Sequence, residues 1–384
     1  MIYFDNAATS GKKPLLVIKS VEKGLLEYSA NPGRSGHSAS IKTSMAVFEA
    51  RKNIADFFGC SQPEKVVFTL NCTHSINCVL KGVLRKGDHV IVSSFEHNAV
   101  MRPLKKMGNP FSIANVSLND DLKTFSEFSR KIKPNTRLII CTAASNVFGK
   151  TLPIKEIGRM CRERGILFAV DAAQTAGVLP INMQEMCIDY LCVAAHKGLY
   201  APMGVGILIC EKNIQNTILE GGTGTNSAEL FQPEDLPERL ESGTVNVPGI
   251  MGVSAGVNFV KTKGLNKIYT HEMSLIQAIY RALKETDGIE LYTPYPEINK
   301  YVPVLSFNFD GVPSEKVAER LSKSDVAVRG GLHCAPVAHN YMGTEKTGTV
   351  RVSVSAFNDM NEVNRFINVI KDKKFSEKLK KDID

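Results

Sequence analysis

Short apolar runs rich in β-branched residues recur along the first half of the chain, at Lys65 to Thr69, His89 to Ser93, Arg137 to Thr142, Ile166 to Val170, Tyr190 to Val193 and Val205 to Cys210. Amphipathic stretches with helical spacing separate them, Ile154 to Arg164 being the clearest. Near-continuous apolar strands alternating with helices predict an α/β fold, a mainly parallel sheet covered by helices on both faces. The pattern changes after about Gly249. A helical stretch from Ile250 through Thr286 leads into alternating strands at Val302 to Phe309, Val326 to Arg329 and Thr349 to Ser355. Alternation of this kind predicts a smaller α+β domain with a partly exposed sheet. The expected division is a large domain over residues 14–249 and a small one made of 1–13 and 250–384. Ligands of open α/β sheets bind beyond the carboxyl ends of the strands, so polar residues that follow the apolar runs are the candidates for chemistry.

Composition narrows the partners. The 384 residues are 43% hydrophobic and 22% charged, enough for one large core and one smaller one. The net charge of +8 comes from scattered Lys and Arg with no basic run interleaved with aromatics, so a nucleic-acid partner is not expected. The tail from Lys371 to Asp384 alternates six lysines with acids and reads as a solvated helix face. No window approaches the roughly 20 apolar residues of a membrane span, and the start, MIYFDNAATS, shows no charged stretch followed by an apolar core, so a leader is not expected. A cytosolic protein with no membrane partner is expected. Nine cysteines without framework spacing read as reduced thiols, most of them buried hydrophobes.

Two segments carry the chemistry. In FAVDAAQT an apolar strand ends at Asp171, a position where a carboxylate often serves only as a cap. In LCVAAHKGLYAPMGVG a strand runs into His196, Lys197 and a glycine-punctuated turn. A lysine held against an apolar strand end loses charge through desolvation and becomes a nucleophilic amine. A strand-end acid and a strand-end lysine separated by one crossover suit pyridoxal 5'-phosphate (PLP), which needs a lysine for its aldehyde and an acid for its pyridine nitrogen. No metal site is expected.

With these residues in place the chain resembles the class V aminotransferase family of fold-type I PLP enzymes, and within it the cysteine desulfurases and selenocysteine lyases. The likeness runs from Asp5 to about Ile367. It implies the PLP-dependent transferase fold, a seven-stranded type of sheet in the large domain, and a homodimer with shared active sites. It implies that Lys197 binds the cofactor aldehyde, Asp171 the pyridine nitrogen, and Gln174 and Asn146 the phenolic oxygen, while His97 of FEHNAV stacks on the ring and moves protons. FTLNCTHSIN resembles the phosphate loop, where Cys72, Thr73 and His74 open a helix whose amides and dipole favour a dianion. His196 resembles a further phosphate contact, and Thr244 of ESGTVN one made across the dimer.

For the substrate, the resemblance marks Arg34 of NPGRSGH, Asn146, and Arg351 of TVRVSVS, a planar donor suited to an α-carboxylate. In VRGGLHCAP, Cys334 follows a glycine-rich turn, and the nearby Arg329 and His333 are expected to favour its thiolate. The family's persulfide-forming cysteine falls there. The implied reaction converts L-cysteine to L-alanine and leaves a persulfide on Cys334 for an acceptor protein, such as one serving iron–sulfur cluster assembly. Selenocysteine lysis remains an alternative, as do carbon–sulfur lysis, epimerisation or transamination with Cys334 idle. The chain departs from the family pattern at Ala194, Cys72, His74 and Gly198.

Overall fold

The computed structural model describes residues 1–33, 35–225, 227–372, Phe375 and Leu379. Arg34 and most of the lysine-rich tail lie outside the described residues, so the expectations placed on them have no structural counterpart.

The large domain is built on a seven-stranded sheet in the order Val66–Thr69, Gly206–Cys210, Tyr190–Val193, Leu167–Asp171, Thr136–Thr142, His89–Ser93, Phe111–Ala114. All pairings are parallel except those of Gly206–Cys210, which runs antiparallel to both neighbours. The central strands are buried at nearly every position, as near-continuous apolar runs require. The edge strand Phe111–Ala114 is half-buried, and its short FSIA run carries too little pattern to stand out in the sequence. Each expected strand lies within a residue or two of its predicted place. Lys65 is the exception in kind, since Pro63 turns Pro63–Lys65 into a 3₁₀ helix before the strand starts.

Three points of the C-terminal region differ from expectation. The single helical stretch over 250–286 is two helices, Val247–Lys263 and Leu265–Lys284, because Gly264 takes φ +88° and closes the first with a bond from its N–H to the Val260 carbonyl. The expected domain division at 249/250 falls inside the first of these helices. That helix packs on Leu15–Glu27 and Ser38–Phe58 and contributes Ile250, Val253 and Val257 to the large domain's core.

The expected strand at 326–329 pairs only over Val326–Ala327, in parallel with Ile2–Tyr3. Finally, Val304–Phe309 and Val350–Ser353 are buried at every position, so the expectation of a partly exposed sheet fails for them. The helices Ser314–Ser322 and Leu265–Lys284 pack against the sheet. It also meets the large domain, where Ser306 Oγ donates to the Val147 carbonyl at 2.7 Å.

Candidate active site

The site assembles where the strand ends of the large sheet meet Val350–Ser353 and the chain's N-terminal segment. Strand Tyr190–Val193 ends in a tight turn that presents Lys197, with Lys197 N–H bonded to the Ala194 carbonyl at 3.2 Å and Tyr200 N–H to the Lys197 carbonyl at 2.9 Å. Gly198 is required here by close approach, since a Cβ on it would sit 2.4 Å from the Ala176 carbonyl oxygen. The departure seen in the sequence therefore lets the lysine turn close onto the segment that follows Asp171.

Burial pushes the Lys197 amine below its ordinary value. Asp171 partly offsets this, while the Arg351 and Arg329 cations reinforce it. Asp171 ends its strand almost fully buried. Its Oδ1 accepts from Ala173 N–H at 2.9 Å and from the Cys72 thiol at 3.5 Å, which leaves Oδ2 as the oxygen for a further donor. Burial holds the Cys72 thiol well above the usual range, so Cys72 acts as a neutral donor. This is what the departure at Cys72 does.

The helix Cys72–Val83 begins beside Asp171. Its cap is Asn71, whose Oδ1 accepts from His74 N–H at 2.9 Å, and not Thr73, which lies exposed in the first turn. His74 is turned back, its Nδ1 accepting from Leu70 N–H at 3.3 Å. The cap spends one of the four free amides of this helix start and leaves others for an anion.

His97 caps the helix Asn98–Met107, its Nδ1 accepting from Ala99 N–H at 3.0 Å, which assigns the proton to Nε2. Burial lowers its pKa, partly offset by Asp171 and reinforced by Lys197. The next amide, Asn98 N–H, donates to the Cys334 carbonyl at 2.7 Å, which joins the His97 turn to the cysteine loop.

Cys334 is exposed, and it and His333 both sit at positive φ, +57° and +49°. Such a pair of left-handed non-glycine residues is strained and persists only when neighbours hold it. Asn146 supplies one hold, Nδ2 donating to the His333 carbonyl at 2.8 Å. The two expected thiolate partners diverge. Arg329 reaches the Cys334 sulfur at 3.9 Å. His333 is buried, and desolvation with the neighbouring Arg351 pushes its pKa down to about 2, so it is a neutral group and offers the thiolate no charge.

Arg351 is 1% exposed, and the partner such a charge requires is Asp5, whose Oδ1 lies 2.6 Å from Nη2. Nη1 donates to the Asn146 carbonyl at 2.9 Å, and Nε has no partner. Gln174 and His196 are tied to the N-terminal segment, Gln174 Nε2 donating to the Ala7 carbonyl at 3.1 Å and His196 Nδ1 meeting Thr9 Oγ1 at 3.0 Å. Burial, with Lys197 and Lys13 nearby, brings His196 down to about 4.

The structure thus groups Lys197, Asp171, Cys72, His97, Asn146, Cys334 and Arg351 through hydrogen bonds or direct electrostatic influence. Thr244 stands apart, exposed, its hydroxyl accepting from Asn31 Nδ2 at 3.3 Å. Two carboxylates went unread in the sequence. Asp5 was signalled only by its place just after a two-residue strand. Glu96, beside His97, ties two strand ends together through Thr142 N–H at 3.0 Å, Ser93 N–H at 3.2 Å and a short bond from Ser93 Oγ.

These residues fit PLP: a desolvated amine, an aspartate with one oxygen fixed and one open, and a helix start for a phosphate. When bound, the cofactor would supply an electron sink to an amino acid.

Comparison with known proteins places the whole chain. The model of the class-V aminotransferase family matches residues 2–366. A probable cysteine desulfurase from Methanothermobacter thermautotrophicus is 31% identical over 94% of this chain and 92% of its own. A cysteine desulfurase from Haloferax volcanii is 29% identical over 96% and 88%. Among solved structures, the apo cysteine desulfurase of Thermococcus onnurineus superposes with a TM-score of 0.88 at 31% identity, covering 99% of this chain and 94% of that one. The S-sulfonic acid form of a cysteine desulfurase from Escherichia coli gives 0.86 at 26% identity, covering 98% and 95%. With the match running nearly end to end, the chain belongs to the class-V aminotransferase family of PLP enzymes.

Proposed function

We propose that the protein is a cysteine desulfurase, which takes sulfur from L-cysteine, leaves it as a persulfide on Cys334 and releases L-alanine. The observation that carries this reading is the placement of one thiol. Among nine free cysteines Cys334 alone is exposed, on a strained loop bonded to the His97 turn and to Asn146. The relatives and solved neighbours named above carry the same activity in their names.

In this reading the chain's own groups divide the work. Arg351, with Asn146, takes the substrate α-carboxylate through planar donors. Lys197, desolvated and so uncharged more readily, accepts the Cα proton. His97, neutral with its proton on Nε2, hands protons across the open side of the site. Cys334 Sγ attacks the substrate sulfur, so a sulfur–sulfur bond forms as the carbon–sulfur bond breaks, and Arg329 steadies the charge on the attacking sulfur. Gln174, Thr73 and His196 hold the cofactor's oxygens.

Exposed Leu15, Leu16, Leu25 and Leu26 on one helix and Ile41, Met45 and Phe48 on the next support a homodimer, as does Thr244, placed away from Lys197 and available to a neighbouring site. The exposed Cys334 suits delivery to an acceptor protein in the cytoplasm, such as one building iron–sulfur clusters.

Alanine and sulfide release from L-cysteine with a reductant, compared between wild type and Cys334→Ala, tests the reading. Both products are expected from the wild type, with a loss of about a hundredfold or more in the variant, the scale of a missing nucleophile. Full activity in the variant, or no alanine from the wild type, overturns it.

A further inference from the structure

A small cavity of about 40 Å³ lies at the lysine turn. Its wall includes Lys197, Gln174, Ser355, Tyr200 and Glu272. Lys197 and Glu272 are the two charged residue types on that wall, and Tyr200 is the one other titratable group there. Glu272 projects from the helix Leu265–Lys284 and is 3% exposed.

Its hydrogen bonding is half complete. Tyr200 Oη accepts from Ala356 N–H at 3.1 Å and donates to Glu272 Oε1 at 3.2 Å, while Oε2 has no protein partner. No cation pairs with this carboxyl among the described residues. A buried carboxylate without a counter-ion is costly, so burial pushes its pKa up to about 8 despite the lowering by Tyr200 and by the Ala356 amide. The proton then sits on Oε2, because Oε1 is already an acceptor. An O–H donor so placed needs an acceptor, and buried polar groups left open by protein are ordinarily satisfied by water. The lining mixes polar Asn6, Ser10 and Gln174 with apolar Val178, Val302 and Val304, and at roughly 10–15 Å³ per water the cavity has room for about three.

We propose that this cavity contains an ordered water chain through which Glu272 serves as a proton reservoir for Lys197. The inference rests on Lys197 being the reacting amine of the preceding reading. The exchange balances: Glu272 Oε2 gives its proton to a water, a water at the other end gives one to Nζ, and the carboxylate recovers a proton when Lys197 gives one up. Glu272 touches neither substrate nor cofactor and is a positioning residue. Its value is that the lysine's charge state is refilled through the cavity's own waters.

Three readouts test this. A high-resolution crystal structure of the holoenzyme should show waters linking Glu272 Oε2 to Lys197; a dry cavity overturns the proposal whatever the enzyme's substrate proves to be. Stability in urea as a function of pH gives the second. A carboxyl raised from 4.5 to about 8 in the folded state stabilises below its unfolded value and loses that contribution as pH rises from 4.5 through about 8. Glu272→Gln, similar in shape and unable to ionise, should flatten the fall over that window, and an unchanged slope is a contrary result.

Third, the wild-type pH–rate profile should lose activity as pH rises through about 8, and Glu272→Gln should lack that limb and run about tenfold slower at pH 7, a fraction of what a direct acid contributes. Glu272→Asp should restore much of the limb. A Gln variant with the wild-type profile refutes the relay. Inactivity of the wild type on L-cysteine instead refutes only the reading of substrate, since the water chain and the urea slope do not depend on it.

Discussion

Arg351 shows how a single side chain in this site is held ready and restrained together. Its guanidinium is buried, ion-paired to Asp5 and bonded to the Asn146 carbonyl, with Nε left over. In the proposed reaction a substrate carboxylate joins or displaces Asp5, so Asp5 sets both the angle of the fork and the competition for it. Removing one member of a buried pair costs ~3–5 kcal/mol, and the partial exposure of Asp5, 21%, discounts this to about 2 kcal/mol. Asp5→Asn should therefore lower the urea midpoint and raise KM for L-cysteine more than it lowers kcat; a lowered KM would mean that Asp5 acts mainly as a competitor. Arg351 was legible in the sequence because a charge inside an alternating strand demands a partner. Which acid answers was not, since 346 residues separate the two.

Among the elements, the turn after Tyr190–Val193 carries the greatest constraint. Gly198 faces the Ala176 carbonyl, and Gly177, at φ +80°, faces the Gly198 carbonyl in return, so the lysine turn and the aspartate turn approach through bare backbone. Gly198→Ala forces a 2.4 Å contact and should cost about 1–3 kcal/mol, the usual scale of overpacking. The expected outcome is a lower unfolding midpoint together with weakened visible absorbance from bound cofactor; retention of both would show that the turn relaxes freely. The strands that carry Asp171 and Lys197 were readable from apolar runs that end in polar residues. The start of Cys72–Val83 was readable as well, and Asn71 caps it just before Cys72, Thr73 and His74. Gly264 divided a stretch that periodicity alone joined, because an isolated glycine leaves the apolar spacing on either side undisturbed.

For the molecule as a whole, the small domain and the N-terminal segment close over the strand ends of the large sheet. Asn6 and Ala7 bond to Ser353, and Ser10 to the His196 carbonyl, so residues 5–10 stitch the carboxylate site to the lysine turn. On the outside, exposed leucines on Leu15–Glu27 form an apolar surface that a lone chain would leave wet. Sedimentation should give a mass twice the chain's 42.1 kDa, and Leu26→Glu with Met45→Glu should shift it toward one chain and weaken cofactor retention. A monomeric wild type that binds PLP fully would remove the need for a shared site and for Thr244 in it.

Local patterning specified a great deal here. Apolar runs and turn chemistry dictate strands and helices within a few residues of themselves, so the parallel sheet, the lysine, the aspartate and the cysteine loop could be placed from residue order. Contacts between distant segments decided the rest: the pairing of Asp5 with Arg351, the neutral burial of His333, the donor role of Cys72, and the unpaired carboxyl of Glu272 beside a cavity. These depend on which surfaces meet and how much water is excluded between them. Desolvation and pairing arise only when the chain has closed, and no stretch of sequence carries them alone.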